Sequence, residues 1–146
     1  YHDLVLIQQM GANSIRTVHY PNDEIFLNLC DEMGILVWEE NHARGIEEEQ
    51  MKHPLFEIQA ENVIKEMIAA HYNHPSIFIW GILNECASET LFGRECYKKQ
   101  FELIRQMDDT LLQVVSSFRI SVLIFPMLFH VIFIQDGMSI NQQKHI

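Results

Sequence analysis

Apolar positions along the chain fall into blocks of two alternating periods. Leu4, Leu6, Ile7 and Met10 recur at helical spacing and stop at Gly11, which predicts a helix closed by a glycine. The short, β-branched run Ser14-Ile15-Arg16-Thr17-Val18 predicts a strand that ends in His19-Tyr20-Pro21, a turn enforced by Pro21. Asn22 or Asp23 can cap a second helix with Ile25, Phe26, Leu29, Cys30 and Met33 on one face, and Gly34 closes it. Ile35-Leu36-Val37-Trp38 then reads as a buried strand before Glu39-Glu40. From Leu55 to Tyr72 the positions Phe56, Ile58, Val63, Ile64, Met67 and Ile68 make a long amphipathic helix. Ile77 to Leu83 forms a third apolar strand. A last helix is expected over residues 95–107 with Phe101, Ile104 and Met107 inward.

This order gives three βα units with parallel strands, an α/β chain that is part of a barrel or of a doubly wound sheet; periodicity alone does not separate the two. At 146 residues the chain is too short for a complete eight-stranded barrel, which takes about 250. The opening Tyr1-His2-Asp3-Leu4 carries neither an initiator Met nor a signal peptide, so the chain is expected to begin within or just before a helix whose preceding strand is absent. The hydrophobic share of 48% with 21% charged residues is that of a folded domain. A formal net charge of −10 argues against a nucleic-acid partner, which requires clustered Lys and Arg. Cys30, Cys86 and Cys96 cannot all pair and lack close metal-ligand spacing, so a reducing, cytoplasmic compartment is expected.

The chemistry gathers where apolar strands end. The run from Ile77 stops abruptly at Asn84-Glu85, and in an α/β barrel reactive groups emerge at the carboxyl ends of the strands. Three ordered segments carry a resemblance. They are Gly11-Ala12-Asn13-Ser14-Ile15-Arg16-Thr17-Val18-His19-Tyr20-Pro21, Cys30-Asp31-Glu32-Met33-Gly34-Ile35-Leu36-Val37-Trp38-Glu39-Glu40, and His71-Tyr72-Asn73-His74-Pro75-Ser76 running through to Asn84-Glu85. Together they resemble the second, third and fourth strand motifs of glycoside hydrolase family 2, the β-galactosidases and β-glucuronidases, over residues 1 to about 110. The resemblance implies a partial (β/α)8 TIM barrel, about strands 2 to 4 with their helices, and a retaining β-glycosidase acting on β-galactosides or β-glucuronides. It makes Glu85 the catalytic acid/base. Arg16, His19, Glu40 and Asn84 become substrate-side residues, with Arg16 orienting the nucleophile and His19 contacting the sugar.

Elementary chemistry agrees with these residue types. Retaining hydrolysis needs two carboxyl groups about 5 to 5.5 Å apart, one a nucleophile and one an acid and then a base. Glu85 suits the acid role if a partly desolvated, like-charged setting keeps it protonated, and Asn84 can hydrogen-bond a sugar 2-hydroxyl. Arg16 supplies a fixed charge that holds a carboxylate ionised, or equally an inward structural ion pair with Glu40. Trp38 or Trp80 could stack on a sugar, although Trp80 lies mid-strand and reads as core. The large β-galactosidases carry a Glu-x-His metal pair after the third strand. Asn41-His42-Ala43-Arg44-Gly45 departs from it, no helix brings His42 and His53 together, and neither metal nor cofactor is expected.

The polar stretch from Asn41 to Pro54 is long for a connection and suggests a functional loop at the barrel mouth, with Glu47-Glu48-Glu49 as a solvated helix start. After Thr110 the motifs cease, and residues 111–146 are an unassigned hydrophobic tail. The run from Ile120 to Ile134 is too long for one strand, and short, with a central Pro126, for a membrane span. A frame-shifted translation beginning near Thr110 explains it, since permissible codons read two bases later yield a segment resembling the family's next one. The family's nucleophile follows the seventh strand, so the chain alone is expected to be inactive. A non-catalytic partial barrel, a carbohydrate-binding remnant and, less favoured, a membrane-anchored interaction protein remain open readings.

Overall fold

The computed structural model describes residues 1–110, together with the backbone of two strands beyond them, Leu112–Val115 and Val131–Ile134. In chain order the elements are α1 His2–Gln9, β1 Ser14–Thr17, α2 Glu24–Met33, β2 Leu36–Glu40, α3 Glu48–Met51, α4 Phe56–His71, β3 Ile77–Ile82, α5 Leu91–Met107, β4 Leu112–Val115 and β5 Val131–Ile134. Local chemistry sets several boundaries. Asp23 caps α2 by accepting from Ile25 N at 2.7 Å, and Gly34 ends it in the left-handed conformation at φ 67°. Thr90 caps α5 by accepting from Gly93 N, which starts that helix a turn earlier than its apolar spacing indicates. Glu39 and Glu40 lie inside β2, not after it.

The strands form one sheet in the order β4-β3-β2-β1-β5, and every neighbouring pair is parallel. From β1 to β4 each strand lies beside its sequence neighbour with a helix between. That progression, with the helices gathered on one face of the sheet, is the winding of a barrel sector, and β5 returns to the other edge beside β1. The sheet is a partial one. The last four residues of the run from Ile120 to Ile134 pair with β1 as β5, so part of the tail expected to lack assignment belongs to the sheet. The remaining tail, and with it the question of a span over residues 120–130, lies outside the described residues. Among those described, no helix is long and apolar enough to cross a membrane.

One hydrophobic cluster joins Leu4 and Ile7 of α1, Leu27 and Cys30 of α2, Ile64, Met67 and Ile68 of α4, and Ile104 of α5 to the strand residues Ile15, Val37, Trp80 and Ile82. The helices thus share one face of the sheet. Trp38 and Ile79 form a separate small cluster. Two expected core positions point elsewhere, Ile25 at 70% and Ile58 at 56% exposure. On α2 the inward positions are Leu27 and Cys30, two residues off Ile25, so helical rotation carries Ile25 outward.

Glu39 stands on the helix side of β2, fully buried, and its carboxylate accepts from His71 Nδ1 at 2.9 and 3.0 Å and from Asn22 N at 3.0 Å. The hydrogen bond to Glu39 is the main reason the His71 imidazole is raised above 6.5, against the opposing effect of its burial. A histidine raised on folding stabilises the fold fully below its unfolded value and loses that contribution as pH climbs through the folded value. Stability should therefore fall as pH rises above 6.5. Urea midpoints across that range should show the fall, and His71→Gln should flatten it; an unchanged slope in the variant would refute the assignment.

Candidate active site

The carboxyl ends of three adjacent strands converge on one charged cluster. Arg16 comes from β1, Glu40 from the last position of β2, and Asn84 from the turn after β3. The guanidinium donates from Nε to Glu40 Oε2 at 2.9 Å, and from Nη2 to Glu40 Oε1 at 3.1 Å and Asn84 Oδ1 at 2.6 Å. His19 Nδ1 lies 2.7 Å from Glu40 Oε1. Arg16, Glu40 and Asn84 are all buried, and His19 is half-buried. A forked guanidinium matches a carboxylate bidentately, so the cluster is geometrically defined as well as neutralised.

Below it, the Arg16 guanidinium lies 4.4 Å from the centroid of the Trp38 ring. The ring packs over Gly81, where an added Cβ would clash with Trp38 Nε1 and sit 2.7 Å from Glu40 Cβ. Trp38 Nε1 is buried and meets no acceptor among the described residues. Trp38 is thus the platform of the cluster. Trp80 is fully buried on the helix side, where its Nε1 donates to Asp108 Oδ2 at 2.8 Å.

The expected substrate residues are brought together, with a change of emphasis for Glu40. Both of its oxygens are occupied by Arg16, and one also by His19. The structural ion pair between Arg16 and Glu40 is therefore formed. Asn84 gives only its Oδ1 to Arg16, and no described residue engages its amide nitrogen. That polarity leaves an N–H donor for a hydroxyl oxygen.

Glu85 follows directly and is exposed. The desolvated setting expected around it is not supplied by the described residues, because its side chain stands beyond the buried cluster. Its backbone is unusual. Leu83 and Glu85 both hold positive φ, 46° and 53°. For residues with a Cβ such conformations cost about 1–3 kcal/mol each and persist only where surroundings over-determine them, commonly at functional sites.

The surroundings that do so come mostly from residues whose role is silent in the sequence. Asn41 Oδ1 accepts from Leu83 N at 3.1 Å and from Ala43 N at 3.3 Å. Asn84 N donates to Ala43 O, Gly45 N to Asn84 O and Ala87 N to Ile46 O, so the loop after β2 is laced to the loop after β3. The hydroxyl of Tyr97 on α5 reaches Leu83 O at 2.8 Å and Cys86 O at 3.1 Å. Helical spacing of Gly93, Tyr97, Gln100 and Ile104 would have marked this inward face had Thr90 been read as the cap. The connection from residue 41 is thus partly a structural brace, with α3 inside it. His42 and His53 are exposed, His53 Nδ1 accepting from Leu55 N, and no group of three or more metal-ligating side chains gathers among the described residues.

Known proteins share this architecture. The β-galacturonidase of Eisenbergiella tayi, solved with glycerol and with galacturonate, is 66% identical to this chain, with TM-scores of 0.79 and 0.78 over 81% and 80% of it. The match takes in 21% of that enzyme. The β-D-glucuronidase of Dictyoglomus thermophilum is 31% identical with a TM-score of 0.73, over 79% of this chain and 22% of its own. A β-galactosidase of Thermoanaerobacter pseudethanolicus is 39% identical over 105 residues, 71% of this chain and 13% of the enzyme. The chain spans about a tenth to a fifth of the length of these relatives. The model of the family described as "Glycosyl hydrolases family 2, TIM barrel domain" matches residues 1–139, running past residue 110 where the recognisable motifs cease. On a match covering nearly the whole chain, this chain belongs to glycosyl hydrolase family 2, within its TIM barrel domain.

Proposed function

We propose that these residues are strands two to four of the catalytic barrel of a retaining β-glycosidase, with Glu85 as its acid/base. The observation that carries the reading is the junction of Arg16, Glu40 and Asn84 at the strand ends, immediately before a strained and exposed Glu85. In this scheme Glu85 passes its proton to the glycosidic oxygen as the bond to the anomeric carbon breaks, and a carboxylate from outside these residues bonds to that carbon. Glu85, now ionised, takes a proton from water as the water displaces the carboxylate, releasing a sugar of retained configuration. The Asn84 amide donates to the sugar 2-hydroxyl, and His19, joined to the same cluster through Glu40, offers its other ring nitrogen as a polar contact. Arg16, held by Glu40, steadies Asn84 and the nucleophile side.

The identity of 66% to a β-galacturonidase supports a uronide among the β-galactoside and β-glucuronide choices. The three buried, unpaired thiols support a reducing compartment. The boundary at residue 110 and a frame-shifted tail also belong to the proposal, and gene sequence across Thr110 tests them: an uninterrupted frame that aligns with relatives beyond Thr110 would refute the shift.

The test of activity uses the complete reading frame that carries these residues. Aryl β-galacturonide, β-glucuronide and β-galactoside are offered in parallel, and the anomer first released is followed by NMR. Turnover is expected with retention, fastest on the galacturonide; inversion, or no turnover of any of the three, would refute the proposal.

A further inference from the structure

We propose that Tyr97, which lies on α5 and outside the sugar-facing set, is the positioning residue for Glu85. The proposal rests on the reading of Glu85 as the acid/base and adds what fixes it in place. Tyr97 is buried at 5% exposure, and its single hydroxyl proton is shared between the carbonyls of Leu83 and Cys86. Those two carbonyls bracket the dipeptide Asn84-Glu85. The pin therefore acts on both ends of the segment that presents the acid.

The bracket is needed because the segment is not at rest by itself. Leu83 and Glu85 hold positive φ without being glycine, and one relaxing toward the ordinary region would swing the Glu85 side chain away from its present direction. Around the same loop α5 acts a second time, through Gln100 Oε1, which accepts from Asn41 Nδ2 at 3.3 Å while Asn41 Oδ1 holds Leu83 N. Gly93 lets the first turn of α5 come up against the loop, since an added Cβ would clash with Ala87 O and lie 2.8 Å from Ala87 C. Burial pushes the Tyr97 phenol up, so the hydroxyl remains a neutral donor across the working range of pH. A residue that merely filled space would need none of these polar contacts; phenylalanine has the same ring.

Tyr97→Phe in the complete enzyme removes the hydroxyl and keeps the ring. For substrates with poor leaving groups kcat should fall roughly tenfold, the worth of about one lost hydrogen bond, with KM nearly unchanged. Activated aryl glycosides should lose no more than about twofold in the first step, because they do not depend on protonation. Asn41→Ala, which frees Leu83 N from the other side, should show the same bias. In a Glu85→Gln background Tyr97→Phe should cost nothing further, since it acts through that carboxyl group.

Equal loss on both substrate classes, no loss at all, or full additivity with Glu85→Gln would overturn the positioning role. Reduced soluble yield with unbiased kinetics in the fraction that folds would assign Tyr97 to packing alone and overturn it as well. Glu85→Gln tested by itself keeps the two ideas apart: a biased loss there with an unbiased Tyr97→Phe refutes only the positioning role, whereas an unbiased Glu85→Gln refutes the acid/base reading beneath it.

Discussion

Glu85→Gln, introduced into the complete enzyme, should slow hydrolysis of alkyl β-glycosides by about 10²- to 10⁴-fold, the usual worth of a positioned proton donor. Substrates whose leaving group departs as a stable anion should lose far less in glycosylation, because they need no proton. For those substrates the second step becomes limiting, since water is no longer deprotonated, and an intermediate should accumulate as a burst. Azide, a nucleophile that needs no base, should restore that second step. Uniform loss over all leaving groups, with no burst, would give Glu85 a structural or nucleophilic role instead. The exposed position of the carboxyl group in these residues agrees with a group that must meet both a leaving-group oxygen and water.

Arg16→Met should be the most destabilising single change at the strand ends. It leaves the Glu40 carboxylate, in a residue 1% exposed, with only the half-buried His19 as a side-chain partner among the described residues. Removing one member of a buried ion pair costs about 3–5 kcal/mol, most of it the uncompensated charge that remains. Urea unfolding of the chain should register the loss as a lower midpoint. The double variant Arg16→Met, Glu40→Leu should recover much of it, because the stranded charge is gone. A single variant within about 1 kcal/mol of the parent would mean that the pair is solvated and weak.

How far the sequence discloses this arrangement depends on what each feature needs. The strands and helices are legible because their apolar spacing is a local property, and Asp23 and Gly34 mark helix ends by chemistry that acts within a turn. Arg16 and Glu40 are legible as candidates through the segments that carry the family resemblance, and Asn84 also through the abrupt end of an apolar run. Their mutual geometry is not, since a contact such as Arg16 to Asn84 spans 68 residues of chain. The choice between a barrel and a doubly wound sheet depends on whether the helices cover one face of the sheet or both, which periodicity does not encode. Tyr97 and Asn41 are invisible for a further reason: their partners are backbone groups in a loop whose positive φ values fall on Leu83 and Glu85, residue types that give no sign of it. The exposed Ile25 shows the opposite limit, in which an apolar residue at a plausible helical spacing is simply not on the buried stripe.

Gly81 constrains anyone who would re-engineer this site. With Trp38 and Glu40 pressed against bare backbone, position 81 has no independent vocabulary: each larger side chain tilts the indole on which Arg16 rests and shifts the carboxylate that Arg16 holds. A library varied at the strand floor would thus scramble charge placement before it reshaped the site. Changes of sugar preference are more accessible from exposed loop positions such as His42 and Glu89, where a new side chain disturbs no stacked layer beneath it.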